Sequence, residues 1–375
     1  MKLAILTQPI STNYGGILQA YVLQAFLRDL GHDVVILNFK EKKLNLYDKS
    51  VIFFKRFILR YFFGRKNIDF SFESKYEAIK PSLFKETFDF IDKYFTNLSS
   101  PIHNRRDLMR IVGHHFDGYI VGSDQVWRPI YSPDIKAFYI DFEHSDAVKR
   151  VAYAASFGVD KWEYSFWLTC KVRSLVKKFD CISVRESSGV EICRKRLKVD
   201  ATQVLDPTML WSEIKYVREF GLKKSEVNGN FIAAYILDLD DRKSCLIREV
   251  ANHLALGVTN LYKNGYQALQ ESFSNPSPVC WLETIYNASF VVTDSFHGCV
   301  FAILFKKQFV VLGNSRRGTA RFVSLLEQFD LLDRFVDDES FMRNVLMKNI
   351  DYDRVHLLLE EKRIQSIGFL KESLA

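Results

Sequence analysis

Apolar positions along the chain fall into short, fully apolar runs and longer stretches with helical spacing. Lys2 to Leu6 is a run of the first kind and predicts a buried strand. Polar residues and Tyr14-Gly15-Gly16 follow. From Ile17 to Leu30 the residues Leu18, Tyr21, Val22, Ala25 and Phe26 then recur on one helical face. Gly31 is a natural stop, and Asp33 to Phe39 reads as the next strand. Strand, loop, helix and strand in this order open a doubly wound sheet. Further strands are predicted at Gly118 to Val121, Arg150 to Ser156 and Cys181 to Val184. Val204-Leu205-Asp206-Pro207 breaks the alternation and Ser225 to Asn230 is polar. Strands then resume at Phe231 to Leu237, Phe290 to Val292 and Phe309 to Leu312. The pattern predicts an α/β fold of two halves with a cleft between them. The expected units are residues 1–205, residues 206–350, and an amphipathic helix over 351–375 that crosses back onto the first half.

One segment breaks the alternation differently. VIFFKRFILRYFFGRK, residues 51–66, mixes bulky apolar and basic residues between strands. Wound as a helix, it places Lys55, Arg56, Arg60 and Lys66 on one arc with aromatics opposite. That composition suits a helix lying in a membrane interface, and equally a helix capping the sheet with its basic face in water.

Composition removes some function classes. With 48% hydrophobic and 26% charged residues the chain is globular, not disordered. The 52 basic residues against 45 acidic give a formal charge of +7, which favours anionic partners. No Lys/Arg-rich tail or zinc-finger spacing supports nucleic acid, so none is expected. Cys170, Cys181, Cys193, Cys245, Cys280 and Cys299 include no C-x-x-C pair, so neither a zinc nor a redox motif is expected. Scattered thiols fit a reducing cytoplasm. The start MKLAILTQPIST reads as a first strand and not as a signal peptide, and no run of 18 uncharged apolar residues spans a membrane.

In open α/β sheets ligands bind beyond the carboxyl ends of the strands, and the unusual residues cluster there. Phe290-Val291-Val292 leads into Thr293-Asp294-Ser295-Phe296-His297-Gly298 and then a helix from about Gly298. The free N–H groups of that helix start form an anion site, Gly298 admits the anion to the backbone, and His297 stands beside it. The structural alternative is that Ser295 caps the helix and His297 is a satisfied buried imidazole. Arg185 ends an apolar strand, where its planar fork suits a carboxylate or phosphate, or an ion pair with Glu186 or another acid. Arg316 and Arg317 follow a later strand end and add cations, with a solvated turn as the alternative. Asn13-Tyr14-Gly15-Gly16 lacks G-x-G-x-x-G, which rejects a dinucleotide loop. It reads as a turn approached by a sugar or phosphate, or as a plain tight turn. Asp124, Gln125 and Trp127 pair a carboxylate with an aromatic platform suited to sugar hydroxyls, although Trp127 fits a core equally well.

Taken as a set, these segments resemble the polysaccharide pyruvyl transferase family. The matching residues are Asn13 to Ala20, Gly122 to Trp127, Tyr153 to Gly158, Ser183 to Glu186, Val204 to Thr208 and Asp294 to Gly298, in family order. The resemblance implies a GT-B-like fold of two Rossmann-like domains, the first on the acceptor side and the second on the donor side. It also implies phosphoenolpyruvate as co-substrate, and as acceptor a sugar of a bacterial surface polysaccharide or its lipid-linked precursor. No cofactor and no metal are expected. In the reading that follows, Arg185 holds the donor carboxylate. The helix start at Ser295, His297 and Gly298, with Arg316 or Arg317, holds its phosphate. His297 is the proton donor, and Asp124 takes a proton from the sugar. Asn13, Tyr14, Gly15, Gly16, Asp124, Gln125 and Trp127 form the acceptor side. The expected location is cytoplasmic, with 51–66 as a peripheral contact at the inner membrane face. Two other readings stay open at this stage: a GT-B glycosyltransferase using a nucleotide-sugar, and a non-catalytic sugar-binding protein of a polysaccharide assembly complex.

Overall fold

A computed structural model of the chain describes residues 1–41, 46–62, 70, 72–113, 116–225, 229–263, 274–314, 318–336 and 345–375. The described residues form two all-parallel sheets. The first contains β1 (Lys2–Leu6), β2 (Asp33–Ile36), β3 (Gly118–Val121), β4 (Lys149–Ala155), β5 (Cys181–Val184) and β6 (Thr202–Gln203), in the order β2-β1-β3-β4-β5-β6. The second contains β7 (Phe231–Tyr235), β8 (Gly257–Asn260), β9 (Phe290–Thr293), β10 (Gln308–Leu312) and β11 (Phe335–Val336), in the order β11-β10-β9-β7-β8. Parallel strands need crossovers, and helices such as Tyr14–Asp29 and Asp241–Leu254 supply them. The molecule is therefore α/β, with two Rossmann-like halves in a GT-B-like arrangement.

The apolar runs predict the central strands because these are buried on both faces, as β3 and β9 are throughout. Three of the four edge strands escape that logic. All four residues of β8 are exposed, and β6 and β11 have two residues each, so no apolar run announces them. Two helix starts also differ from expectation. Tyr14, Gly15 and Gly16 form the first turn of the helix Tyr14–Asp29, not a loop before it. The helix after β9 begins at Phe296, so His297 and Gly298 lie inside its first turn.

Aromatic side chains join the two halves. Tyr21 meets Trp211 edge-on at 5.9 Å, Trp211 meets Tyr216 at 5.4 Å, and Tyr216 meets Phe301 at 5.2 Å. Phe301 reaches Trp281 at 5.3 Å, and Trp281 reaches Tyr14 at 5.6 Å. One continuous core cluster holds Leu3 and Ile5 of the first sheet together with Val291 and Phe309 of the second. Part of the aromatic excess of 32 phenylalanines and 17 tyrosines is thus core between the halves.

The helix Tyr352–Leu374 closes the structure across both halves. At its start Tyr352 donates to the Ala302 carbonyl at 3.2 Å. Further along, Arg363 donates to the carbonyls of Met209 and Trp211, and Ser366 Oγ accepts from the Leu205 N–H at 2.9 Å.

Residues 51–62 lie in and just after the helix Leu46–Tyr61, while 63–66, with Lys66, fall outside the described residues. Phe53, Phe54, Phe57, Tyr61 and Phe62 are exposed, Phe62 to 77%. Arg56 turns inward to Glu73, 2.5 Å away, and lies over the Phe72 ring. The helix therefore does not cap the sheet with its aromatics buried; they face out. No described helix is long and apolar enough to cross a membrane.

Candidate active site at the carboxyl edge of both sheets

Three of the strand ends singled out in the sequence converge here. Arg185 follows β5, and Asp124 follows β3 with a left-handed φ of 70°, a conformation that Asp tolerates better than most residues. His297 comes from the second half, in the first turn after β9. Asp206, on the link between the halves, lies among these residues. Its Oδ2 accepts from Arg185 at 2.7 Å and from Ser123 at 3.1 Å, and stands 3.6 Å from His297 Nε2. Its Oδ1 accepts from the Thr208 N–H and hydroxyl at 3.0 and 2.7 Å. The other arm of Arg185 reaches Asp124 at 3.2 Å. The ion-pair alternative for Arg185 is thus the one realised, although its main partners are Asp206 and Asp124; Glu186 is 4.0 Å away.

Burial alone would raise the Asp206 carboxyl, but the adjoining His297, Arg185 and Thr208 hold it well below the usual carboxylate range. Asp124 is lowered too: burial opposes this, while Arg185, His297 and Arg321 outweigh it. Arg185 is raised, because Asp206, Asp124 and Glu186 overcome the cost of burying its charge. Arg321, at the start of the helix Ala320–Glu327, is pushed down to about 10 by burial and by the neighbouring Arg185 charge. Both guanidinium groups face the Phe296 ring, at 4.2 and 5.8 Å.

Three buried polar atoms in this cluster make no hydrogen bond: Arg185 Nε, His297 Nε2 and Glu186 Oε2. Each can still hydrogen-bond to a polar partner, and a buried polar atom left without one costs roughly 1–3 kcal/mol. Outward from Asp124 runs a groove of about 510 Å³, lined by Gln8, Asn13, Glu41, Gln125, Tyr131 and neighbouring residues. Among the described residues no three His, Cys, Asp or Glu side chains are grouped to hold a metal ion.

Several expected placements need correction. Trp127 is no platform: it is fully buried, stacked on Tyr139 at 5.1 Å, with Nε1 donating to the Phe138 carbonyl. Tyr14 is buried and bonds to the Pro276 carbonyl, so it joins the halves and does not face a sugar. Gly15 and Gly16 are buried in the helix. A Cβ on Gly15 would sit 1.9 Å from His297 Nδ1, so this glycine makes room for the imidazole. At Gly16 it would meet the Asn13 side chain at 3.3 Å. Gly298 likewise admits Thr293, whose Oγ1 would be 2.2 Å from a Cβ there, not a ligand. Ser295 is buried and makes no side-chain cap. Asn13, Asp124 and Gln125 line the groove. Arg316 and Arg317 lie outside the described residues. The sequence reading did not assign Asp206 or Arg321. Asp206 looks like an ordinary cap before Pro207, which it also is, and Arg321 sits in a helix whose spacing does not show which way it points.

Comparison with known proteins adds a family. The family model described as polysaccharide pyruvyl transferase matches residues 13–316, most of the chain. No curated protein matches. Similar solved structures include a glycosyltransferase from Rickettsia africae, with 11% identity, 100% of this chain and 97% of that one covered, and a TM-score of 0.49. Others are an alpha-glucosyltransferase in complex with UDP (11% identity, 99% and 95% covered, TM-score 0.44) and the spinosyn forosaminyltransferase (12%, 100% and 94%, 0.41).

Two measurements probe the site without a substrate. Ala is favoured over Gly in a helix by about 1 kcal/mol. Gly15→Ala should nevertheless destabilise by about 1–3 kcal/mol in urea unfolding, because His297 occupies the space. In a His297→Ala background the same change should cost nothing; an equal cost in both backgrounds would reject the contact. The second concerns pH. The folded carboxyls of Asp206 and Asp124 are lowered, so above about pH 4 both states are ionised and their stabilisation is fully present. As pH falls below that, the unfolded chain takes up protons first and stability is lost. The melting temperature should drop on this limb, and less steeply in Asp206→Asn; parallel limbs would count against it.

Proposed function

The chain belongs to the polysaccharide pyruvyl transferase family, and from that premise we propose that it forms a cyclic pyruvate ketal on a sugar of a bacterial surface polysaccharide or its lipid-linked precursor, with phosphoenolpyruvate as donor. The observation that carries this reading is the pair of buried nitrogens that make no hydrogen bond, Arg185 Nε and His297 Nε2, with the Arg321 guanidinium facing the same Phe296 ring as Arg185. A small ligand bearing both a carboxylate and a phosphate suits such a place.

In this mechanism the donor carboxylate pairs with Arg185 and displaces Asp124, the longer of its two close links. The phosphate lies toward Arg321 and the start of the helix Phe296–Leu304, where the backbone dipole favours an anion. With Arg185 neutralised by the donor, burial dominates at Asp124 and its basicity rises. His297 delivers a proton to the methylene carbon, making the adjacent carbon electrophilic. A sugar hydroxyl in the groove adds to that carbon and gives its proton to Asp124. The bond between that carbon and the phosphate oxygen breaks, phosphate leaves, and a second hydroxyl adds to the same carbon and gives its proton to the departing phosphate, closing the ring. No step as written calls for a metal or cofactor.

Phosphoenolpyruvate should raise the melting temperature of the protein, whereas nucleotide-sugars should not. Incubation with the donor and a lipid-linked oligosaccharide should give the mass gain of a pyruvate ketal, lost in Arg185→Ala and His297→Ala. Stabilisation by a nucleotide-sugar instead, or transfer surviving both changes, would sink the assignment.

The finer proposal for location is peripheral contact of the helix Leu46–Tyr61 with the inner face of the cytoplasmic membrane. Its support is the outward row of Phe53, Phe54, Phe57, Tyr61 and Phe62, with Lys55 and Arg60 exposed among them. Co-sedimentation with vesicles containing anionic phospholipid should fall sharply when Phe53, Phe57 and Phe62 are changed to Ser. Undiminished binding rejects the contact.

A further inference from the structure

Two buried arginines share the base of the cleft, one from each half. Arg185 follows β5, and Arg321 lies at the start of the helix Ala320–Glu327. The Arg185 charge works against that of Arg321, as like charges out of water must. Asp206 and Asp124 balance Arg185 at 2.7 and 3.2 Å. Asp124 and Glu186 also favour the Arg321 charge, but burial and Arg185 outweigh them.

Two devices keep the pair in register all the same. The first runs through the backbone. Ser324, one turn along from Arg321, accepts from the Ser187 N–H and from Gln203 Nε2, both at 2.9 Å. Gln203 also donates to the Arg185 carbonyl at 3.3 Å. The helix that carries Arg321 is thereby fastened to the strand end that carries Arg185. The second device is the buried ring of Phe296. Its centre lies 4.2 Å from the Arg185 guanidinium and 5.8 Å from that of Arg321. Both separations fall within the roughly 6 Å over which an aromatic face attracts a cation, an attraction that strengthens where water is excluded. An aliphatic side chain could fill the same space but would offer no such face. The ring also meets His297 edge-on at 5.2 Å, so it borders all three groups assigned to the donor.

Resting on the pyruvyl transfer reading above, we propose that Phe296 is a positioning residue whose ring holds the two guanidinium groups side by side for the carboxylate and the phosphate of one small donor. The donor then meets a pair already assembled and is spared the cost of drawing two like charges together.

The test measures phosphoenolpyruvate binding to the full chain by isothermal titration calorimetry, with no acceptor present. Phe296→Leu keeps an apolar side chain and removes the aromatic face, so the Kd should rise about tenfold. Phe296→Tyr keeps the face and should retain most of the affinity. Arg321→Met weakens binding by itself. In that background Phe296→Leu should add no more than about twofold, because one of the two cations that the ring serves is gone. Lost packing alone would lower the melting temperature and cost the same in both backgrounds. If Phe296→Leu does not fold, Phe296→Met carries the same comparison. If phosphoenolpyruvate does not bind the unaltered protein, the transfer reading falls and this inference with it. If it binds, three results overturn the inference alone: a Kd unmoved by Phe296→Leu, an equal cost in the two backgrounds, or Phe296→Tyr as weak as Phe296→Leu.

Discussion

Asp206 is the group on which the arrangement turns. Its two oxygens collect Arg185 and Ser123 from the first half and Thr208 from the link, and the imidazole of His297 from the second half stands beside them. Burying this many charges is expensive, and a buried ion pair is seldom worth more than apolar packing of the same shape. What it provides is position. Arg185 can keep its fork at the cleft base only while its neighbours neutralise it, and those neighbours come from three separate strand ends.

The cluster and the groove do different work. The cluster is closed, with Arg185, Asp206, Asp124 and His297 all buried. The groove is open and its walls are amide, aromatic and acidic. Asp124 belongs to both, bonded to Arg185 on one side and lining the groove on the other. In the proposed reaction the small donor is assigned to the closed cluster and the acceptor to the open groove.

The fold was largely legible because its central strands are apolar on both faces, and that signal needs no partner to be read. The edge strands β6, β8 and β11 lack it. At the site, the strand-end rule located Arg185, His297 and Asp124, since it depends on topology, which the alternation of strands and helices reveals. What it could not reveal was which side chains fill the space that a glycine leaves. Gly15 and Gly298 suggested ligand approach, yet each makes room for a residue of the chain itself, His297 and Thr293. Trp127 failed for a related reason: spacing places an aromatic at a strand end but does not say which way it turns, and Tyr139 holds it inside. Tyr131, four residues on, lines the groove, with the Arg128 guanidinium 5.0 Å from its ring centre.

The core cluster that runs without a break from the first sheet into the second carries a thermodynamic consequence. Two domains joined by a polar, watery seam would have to be brought together each time a ligand bound, and the lost motion would be charged against its affinity. Here Tyr21, Trp211, Tyr216 and Phe301 complete that assembly when the chain folds. The separation between Arg185 and His297 is therefore preorganised, and a bound molecule is spared the cost of bringing the halves together.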